Sequence, residues 1–274
     1  MKICGHTMGT PGRDVFEAME LFSRIGFDGI EIRCAEDGQL DIETYELGSK
    51  RGDNIVGMAR DLEMDIVCLT PYYFDLGDPD ARDAEISNLR KTILIAEELE
   101  CGLVRCFAKE PDAENMRSSY WNNAIDSLKV LGQFAAEHDV GLCIETHGGS
   151  LAVTAEQAVQ MVEDVGLPSV GILLDYPWIY REGSETEVEA IRMVAPHLKH
   201  VHAKDWKIKP EGKTTTLMGE GDINWPALLR ELEATGYDGY ISDEYEKQHR
   251  DYLPEPQTGM KADLHYLRDQ CDHQ

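Results

Sequence analysis

Residues 225–245 read WPALLRELEATGYDGYISDEY: an amphipathic run, then a glycine, an aromatic residue, Asp-Gly, and a short apolar stretch that closes on acids. The same phrase stands near the N-terminus, where Arg24-Ile25-Gly26-Phe27-Asp28-Gly29 leads into a second β-branched run. A glycine just past a helix favours a left-handed cap, so each copy predicts a helix, its stop, and a strand in that order. Working outward from these copies, short apolar or β-branched runs alternate with longer amphipathic ones along the whole chain. The predicted strands are Lys2–Cys4, Gly29–Arg33, Asp65–Leu69, Leu103–Phe107, Gly141–Thr146, Val170–Asp175, Leu198–His202 and Tyr240–Tyr245. Helical patterns lie near Asp14–Ile25, Gly52–Glu63, Asp80–Leu99, Ser118–His138, Ala155–Val165, Glu187–Val194, Trp225–Thr235 and Gly259–Gln270. Eight strand-and-helix units in 274 residues, with no linker rich in Pro, Gly or Ser, predict an α/β fold of one domain over residues 1–274, a closed (β/α)8 barrel. The alternative is an open α/β sheet, which usually uses fewer strands.

Composition narrows the function. With 42% apolar residues the chain can bury a core despite its charge. Lys plus Arg number 26 against 52 Asp plus Glu, a net charge of −26. Phosphate backbones need a basic face, so nucleic acid is not the expected partner. The N-terminus lacks the apolar stretch of a signal peptide, and no run of about 18 apolar residues could span a bilayer, so a cytoplasmic location without membrane contact is expected. The seven cysteines are odd in number and form no CxxC pair. Cys4, Cys34, Cys68, Cys106 and Cys143 sit in or beside apolar runs and are expected to be reduced, behaving as small hydrophobes.

In a (β/α)8 barrel the chemistry sits at the C-terminal ends of strands. Four consecutive predicted strands there carry potential metal ligands: Glu145 in Ile144-Glu145-Thr146-His147, Asp175 after Ile172-Leu173-Leu174, His202 in Val201-His202-Ala203-Lys204-Asp205, and Glu244 after Ile241-Ser242-Asp243. Three carboxylates and an imidazole suit one divalent ion such as Mn, Mg, Co or Zn. Three acids in an empty site would repel one another, and a dication cancels that repulsion. The plainer reading makes them solvated strand ends of an acidic protein.

The segments Ile144-Glu145-Thr146-His147-Gly148-Gly149, His200-Val201-His202-Ala203-Lys204-Asp205, Gly219-Glu220-Gly221-Asp222-Ile223-Asn224-Trp225 and Gly236-Tyr237-Asp238-Gly239-Tyr240-Ile241-Ser242-Asp243-Glu244 resemble the sugar phosphate isomerase/epimerase family of xylose-isomerase-like TIM barrels. The likeness covers nearly the whole chain. That family includes ketose 3-epimerases, inosose isomerases and dehydratases, and is related to metal-dependent apurinic endonucleases. The resemblance implies a metal at Glu145, Asp175, His202 and Glu244. It further implies that Glu145 and Glu244 face each other across the substrate and exchange a proton beside a carbonyl, through an enediolate. The expected activity is that of a metal-dependent isomerase or epimerase of a ketose, keto-sugar or cyclitol ketone. A lyase using the same metal site is the alternative, and a non-catalytic sugar-binding barrel is a further one. Homo-oligomers are common in that family.

The remaining candidates follow from strand alternation. Lys204 shares a face with His202 and is expected to hold a substrate oxygen or the enediolate charge, or else to pair with Asp175 or Asp205. His147 shares a face with Glu145 and is expected to meet substrate, whereas His200 lies deeper, bonded to a neighbour. His6 from the first strand, Arg105 from the fourth and Trp178 beyond the sixth are further substrate-contact candidates, each with a packing or pairing alternative. Tyr72-Tyr73-Phe74 is expected as an apolar lid, and Lys207–Met218 as a mobile active-site loop. Two departures from the ketose 3-epimerases stand out. Trp178 replaces the His they carry three residues after the sixth-strand Asp, and Ile208 replaces the Arg six residues after the seventh-strand His.

Overall fold

The computed structural model describes residues 1–210 and 212–272 of the chain. Seven strands come first: β1 (Lys2–His6), β2 (Gly29–Cys34), β3 (Asp65–Pro71), β4 (Leu103–Cys106), β5 (Gly141–Glu145), β6 (Val170–Leu174) and β7 (Leu198–Ala203). A hairpin of β8 (Asp205–Lys209) and β9 (Gly212–Thr216) follows, and then β10 (Tyr240–Asp243). All but the hairpin close into one parallel barrel, in the order β1-β10-β7-β6-β5-β4-β3-β2. Around it run α1 (Val15–Ile25), α2 (Lys50–Asp61), α3 (Arg82–Glu98), α4 (Arg117–Glu137), α5 (Ala155–Val165), α6 (Tyr176–Glu182), α7 (Glu187–Val194), α8 (Trp225–Ala234) and α9 (Pro256–Asp272). The expected eight-stranded barrel is therefore the observed one, with the strand starts as expected and the ends shifted by one or two residues.

The repeated phrase works as its chemistry predicts. Asp14 caps α1 reciprocally with Glu17, and Gly26 ends the helix at φ 105°, in the left-handed region. Phe27 N–H then donates to Phe22 O at 3.0 Å, just as Tyr237 N–H donates to Leu232 O at 3.0 Å in the second copy. Asp28 takes the backbone N–H of Ile3 at 2.8 Å, which ties the start of β2 to β1.

Side-chain alternation divides each strand between two layers. One set, including Ile30, Ile32, Leu142, Ile144, Ile172, Leu174, Val201 and Ile241, joins Phe22, Leu89, Leu128 and Trp225 in the core beneath the helices. The other set points into the barrel, where Cys68, Leu103, Cys143 and Leu173 form a small apolar cluster of their own. The cysteines Cys4, Cys34, Cys68, Cys106 and Cys143 are buried and unbridged, in the packing role expected of them, and Cys101 joins them. Because Cys143 and Leu173 face inward, so do Glu145 and Asp175 two residues further along. No helix among the described residues is long and apolar enough to cross a membrane.

Two elements depart from expectation. Directly after β6 the chain forms the short helix α6, with Pro177 in its first turn and Gly183 as a left-handed cap. The expected loop 207–218 is largely the hairpin: Asp205, Trp206, Lys207, Ile208 and Lys209 pair with Thr216, Thr215, Thr214, Lys213 and Gly212. Glu211 lies outside the described residues. The hairpin is anchored at its base by Asp205, whose carboxylate accepts N–H groups from Trp206 (2.9 Å), Gly219 (3.0 Å), Gly221 (3.0 Å) and Ile223 (3.3 Å). The segment Gly219-Glu220-Gly221-Asp222-Ile223 thus exists to wrap one buried acid. A β-carbon on Gly221 would come within 2.0 Å of Asp205 Oδ1. Gly221→Ala is therefore expected to lower unfolding stability by about 2–3 kcal/mol through loss of a buried hydrogen-bond set. A urea titration checks this by the midpoint, with an unchanged slope.

Candidate active site at the carboxyl ends of the strands

Glu145 closes β5, Asp175 follows β6, His202 lies in β7 and Glu244 follows β10, and all four side chains are buried. One donor atom from each lies within 4.8 Å of the others. His202 Nδ1 sits 3.2 Å from Glu145 Oε1 and 3.3 Å from Glu244 Oε2. Among the described residues, His202 Nδ1 and Asp175 Oδ1 are nevertheless buried without a directed hydrogen bond. Buried polar atoms normally find partners, so two unpartnered ones within a cluster of four potential ligands mark a place built for another atom.

The orientation of His202 has a cause that strand-end reasoning misses. Glu31, in the middle of β2, lies fully buried inside the barrel. Its carboxylate accepts His200 Nε2–H at 2.9 Å, His202 Nε2–H at 3.0 Å, and the hydroxyl of Thr70. Burial alone would push the Glu31 carboxyl up, but the imidazoles of His202, His6 and His200 outweigh it and hold the group well below the usual carboxylate range. An ionised Glu31 takes the Nε2–H of His202 and so turns Nδ1 toward Glu145, Asp175 and Glu244. Burial works against the charged imidazole, but Glu31, Glu244 and Glu145 hold it well above its ordinary pKa, so that a metal at Nδ1 would take the place of a proton. The signal for Glu31 was an acid between Ile30 and Ile32, on a strand whose every residue is buried.

The other candidates separate. Lys204 does share a face with His202, and its Nζ donates to Asp175 Oδ2 at 2.6 Å and Glu244 Oε2 at 2.5 Å. Asp205, its other expected partner, is held by backbone N–H groups instead. Burial works against the Lys204 ammonium, but Asp175 and Glu244 hold its pKa well above the ordinary value. Arg105 Nη1 lies 3.4 Å from Glu145 Oε2, with its guanidinium 5.2 Å from the ring centroids of Tyr72 and Phe74. Glu145 and Glu244 are each raised by burial, yet Arg105 for the first and Lys204 for the second keep them below the usual range and ionised.

These groups open on a cavity of about 160 Å³, whose wall includes Arg105, Glu145, His147, Trp178, Lys204 and Glu244. Larger surface clefts exist, such as one of about 430 Å³ beside Val162, Pro168 and His197, but that one contains none of the strand-end residues. One side of the cavity is a run of rings. Phe74 stacks on Phe107 at 3.8 Å, Phe107 on His147 at 5.0 Å, His147 meets Trp178 at 4.6 Å, and Trp178 meets Trp206 edge-on at 4.9 Å. His147 Nδ1–H donates to Gly148 O at 2.7 Å, which orients the ring. Of the three residues expected as a lid, Tyr72 and Phe74 line the cavity, while Tyr73 packs on the core.

His6 is a correction. It was expected to meet substrate, but it is fully buried below the cavity, its ring 5.7 Å from that of His202 and its Nε2 3.6 Å from Glu31. It accepts Met8 N–H on Nδ1 at 2.9 Å, and burial pushes its pKa down to about 4, so it serves as neutral packing beneath the cluster. The aromatic Phe107 and Trp206, the acid Glu246 and the cation Lys213 were not singled out. Glu246 accepts Trp206 Nε1–H at 3.2 Å and the Thr215 hydroxyl, which latches the hairpin to the segment after β10. Ile208, at the position where the resemblance expects Arg, is paired across the hairpin with Lys213.

Residues 19–270 match the family model for xylose isomerase-like TIM barrels. Among curated proteins, the chain is similar to a 3-dehydroshikimate dehydratase of Bacillus anthracis, 20% identical over 77% of this chain and 79% of that one. It is also similar to a fructoselysine 3-epimerase of Shigella flexneri, 23% identical over 98% of this chain and 96% of the relative. Among solved structures, that of the IOLI protein with a binding zinc atom superposes with a TM-score of 0.85, at 19% identity, over 100% of this chain and 99% of that one.

Proposed function

The chain belongs to the xylose isomerase-like TIM barrel family, and from that premise we propose that it is a metal-dependent enzyme moving a proton on the carbon next to a carbonyl of a small ketose, keto-sugar or cyclitol ketone. The observation that carries this is the placement of two glutamates, from β5 and from the end of β10, around Nδ1 of His202. The donor set fits a divalent ion of the Mn, Mg, Co or Zn type, since three carboxylates and an imidazole converge with two orphaned donor atoms among them. When bound by Glu145, Asp175, His202 and Glu244, that ion supplies the charge that offsets the three acids and polarises a substrate carbonyl.

The protein's own groups do the rest. Glu145 and Glu244 are kept ionised by Arg105 and Lys204 in the free protein; one takes the substrate proton as base, and the other, after picking up a proton from solvent, returns one to the opposite side of the carbon as acid. Lys204, whose ammonium stays charged against its burial, stabilises the oxygen that gains charge as the proton leaves. His147 and Trp178 flank the sugar or cyclitol face, and the rings from Phe74 to Trp206 keep bulk water from the proton being moved.

The dehydratase reading shares this machinery and differs only in its outcome. Lys204 and His147 both border the cavity and are the available acids for a leaving hydroxyl. The 3-dehydroshikimate dehydratase among the relatives and the absence of Arg at Ile208 both speak for it.

Dialysis against a chelator, followed by metal content and turnover over a panel of ketoses, inososes and 3-keto-sugars, tests the metal requirement. The expected result is one divalent ion per chain, loss of turnover on stripping, and its return on adding Mn, Mg, Co or Zn. Full turnover by the stripped protein would overturn the proposal. The product, isomer or dehydrated compound, decides between the two reactions.

A further inference from the structure

The wall of rings ends on a cation. Lys213 of β9 reaches over both indoles, with Nζ 3.0 Å from the ring centroid of Trp206 and 3.8 Å from that of Trp178. Arg105 and Lys204, which line the cavity, are committed: Arg105 to Glu145, and Lys204 to Asp175 and Glu244. Lys213 forms no ion pair with any carboxylate among the described residues. Glu246, the acid on this side of the cavity, has turned Oε2 to the Trp206 indole and the Thr215 hydroxyl. Beside Lys213, the Nε1–H of Trp178 is buried with no acceptor among the described residues. Trp178 is part of the cavity wall and Lys213 lies on its ring, so this corner of the site carries an ammonium and an N–H, both without an acceptor among the described residues.

An unsatisfied buried donor such as Trp178 Nε1–H is costly, and together with a half-buried ammonium that has no carboxylate partner it indicates an acceptor that arrives with the ligand. The indole faces hold the ammonium in place without neutralising it. Burial, with Lys204 adding repulsion, pushes Lys213 down to about 7 against the pull of Glu246, and a bound anion would favour its charged form. Two donors match the two oxygens of a carboxylate. A phosphate normally gathers an Arg fork or the N–H groups of a helix start, and this small cavity supplies neither to the corner.

We propose that this corner binds a carboxylate carried by the substrate, with Lys213 as the residue that selects for it and Trp178 Nε1–H as the second donor. The proposal rests on the reading of the cavity as the substrate site. It makes the preferred compound a keto-acid: a ketone flanked by hydroxyls at the Glu145 and Glu244 end and a carboxylate toward the hairpin.

The test uses three probes with one carbon frame: D-fructose, D-fructuronate and D-fructose 6-phosphate. Each is titrated into the magnesium-loaded protein and followed by quenching of tryptophan fluorescence, since Trp178 and Trp206 both touch Lys213. The wild type is expected to bind D-fructuronate about tenfold more tightly than D-fructose, or better. Lys213→Met keeps the stem against the indoles and is expected to reduce that preference to about twofold or less, whereas Lys213→Arg keeps most of it. No preference in the wild type, an undiminished preference in Lys213→Met, or tighter binding of the phosphate ester than of D-fructuronate would overturn the proposal. Binding is read without turnover. Deuterium exchange on a ketone without any carboxylate preference would thus remove the Lys213 assignment and leave the proton-transfer reading standing, and a preference without exchange would do the reverse.

Discussion

Glu145→Gln and Glu244→Gln are each expected to lower kcat by about 10²–10⁴-fold, the range that a positioned acid or base contributes. The two carboxylates approach the same nitrogen of His202 within 0.1 Å of each other in distance, 3.2 and 3.3 Å, and each is held ionised by its own cation. An amide at either position keeps the shape, removes the charge, and leaves nothing to accept a proton. Because the pair acts on one carbon, the double variant is expected to be about as slow as the slower single one, not the product of the two losses. Losing Glu244 also frees Lys204 from one of its two carboxylates, so Glu244→Gln is expected to shift more of its effect into substrate affinity than Glu145→Gln does. Steady-state kinetics with metal content measured on the same samples decides the matter. Full turnover at full metal occupancy in either variant would refute the assignment of that glutamate.

The second large effect is expected at Glu31, on stability as well as on metal affinity. Its carboxylate is the acceptor for His200, His202 and Thr70 in the closed interior of the barrel. Glu31→Ala strands all three donors and removes the charge opposite His202, a change of the kind that costs about 3–5 kcal/mol. Glu31→Gln keeps the volume and one acceptor, so a smaller loss is expected. Freed from Glu31, the His202 ring is no longer held with Nδ1 toward the other ligands, and divalent metal affinity is expected to drop about 10–100-fold, as for other carboxylates that orient a ligating histidine.

The pH dependence of stability gives a separate check. Glu31 is depressed in the folded state, so its contribution is present above the ordinary carboxylate range and is lost as pH falls through that range toward its folded value. The difference in urea stability between wild type and Glu31→Gln is therefore expected to be largest near neutrality and to shrink on acidification. A gap that stays constant from pH 7 to about pH 3 would show that Glu31 acts by packing rather than by charge.

Much of the barrel was legible because parallel strands buried on both faces read as unbroken apolar runs, and because Gly26 and Gly236 mark helix ends with a residue chosen for its backbone freedom. The same logic found Glu145, Asp175, His202 and Glu244, since a polar residue that closes an apolar run stands out. Glu31 escaped it because it lies in mid-strand, where nothing but its neighbours Ile30 and Ile32 betrays that the side chain points into the barrel. The seven-residue α6 is too short to show a helical period, and Pro177 reads as a turn until the capping Gly183 is seen. The second strand of the hairpin, Gly212-Lys213-Thr214-Thr215-Thr216, has no apolar alternation, so its register, and with it the placement of Lys213 over Trp178 and Trp206, is set by tertiary contacts through Glu246 and Asp205. His6 was misplaced for the opposite reason: the alternation correctly turned it inward, but depth in the barrel depends on strand stagger that a linear pattern does not carry.

The most direct measurement is proton NMR in deuterated water, with the metal-loaded protein incubated with ketoses, inososes and keto-acids, and the Glu145→Gln and Glu244→Gln variants run alongside. The account predicts metal-dependent replacement of hydrogen by deuterium at a carbon adjacent to the carbonyl, in at least one of these compounds, and its loss in both variants. Product formation with no solvent deuterium at that carbon would contradict an exchange of the proton between two solvent-equilibrated glutamates, and uptake at wild-type rate in either variant would contradict the residues assigned to it.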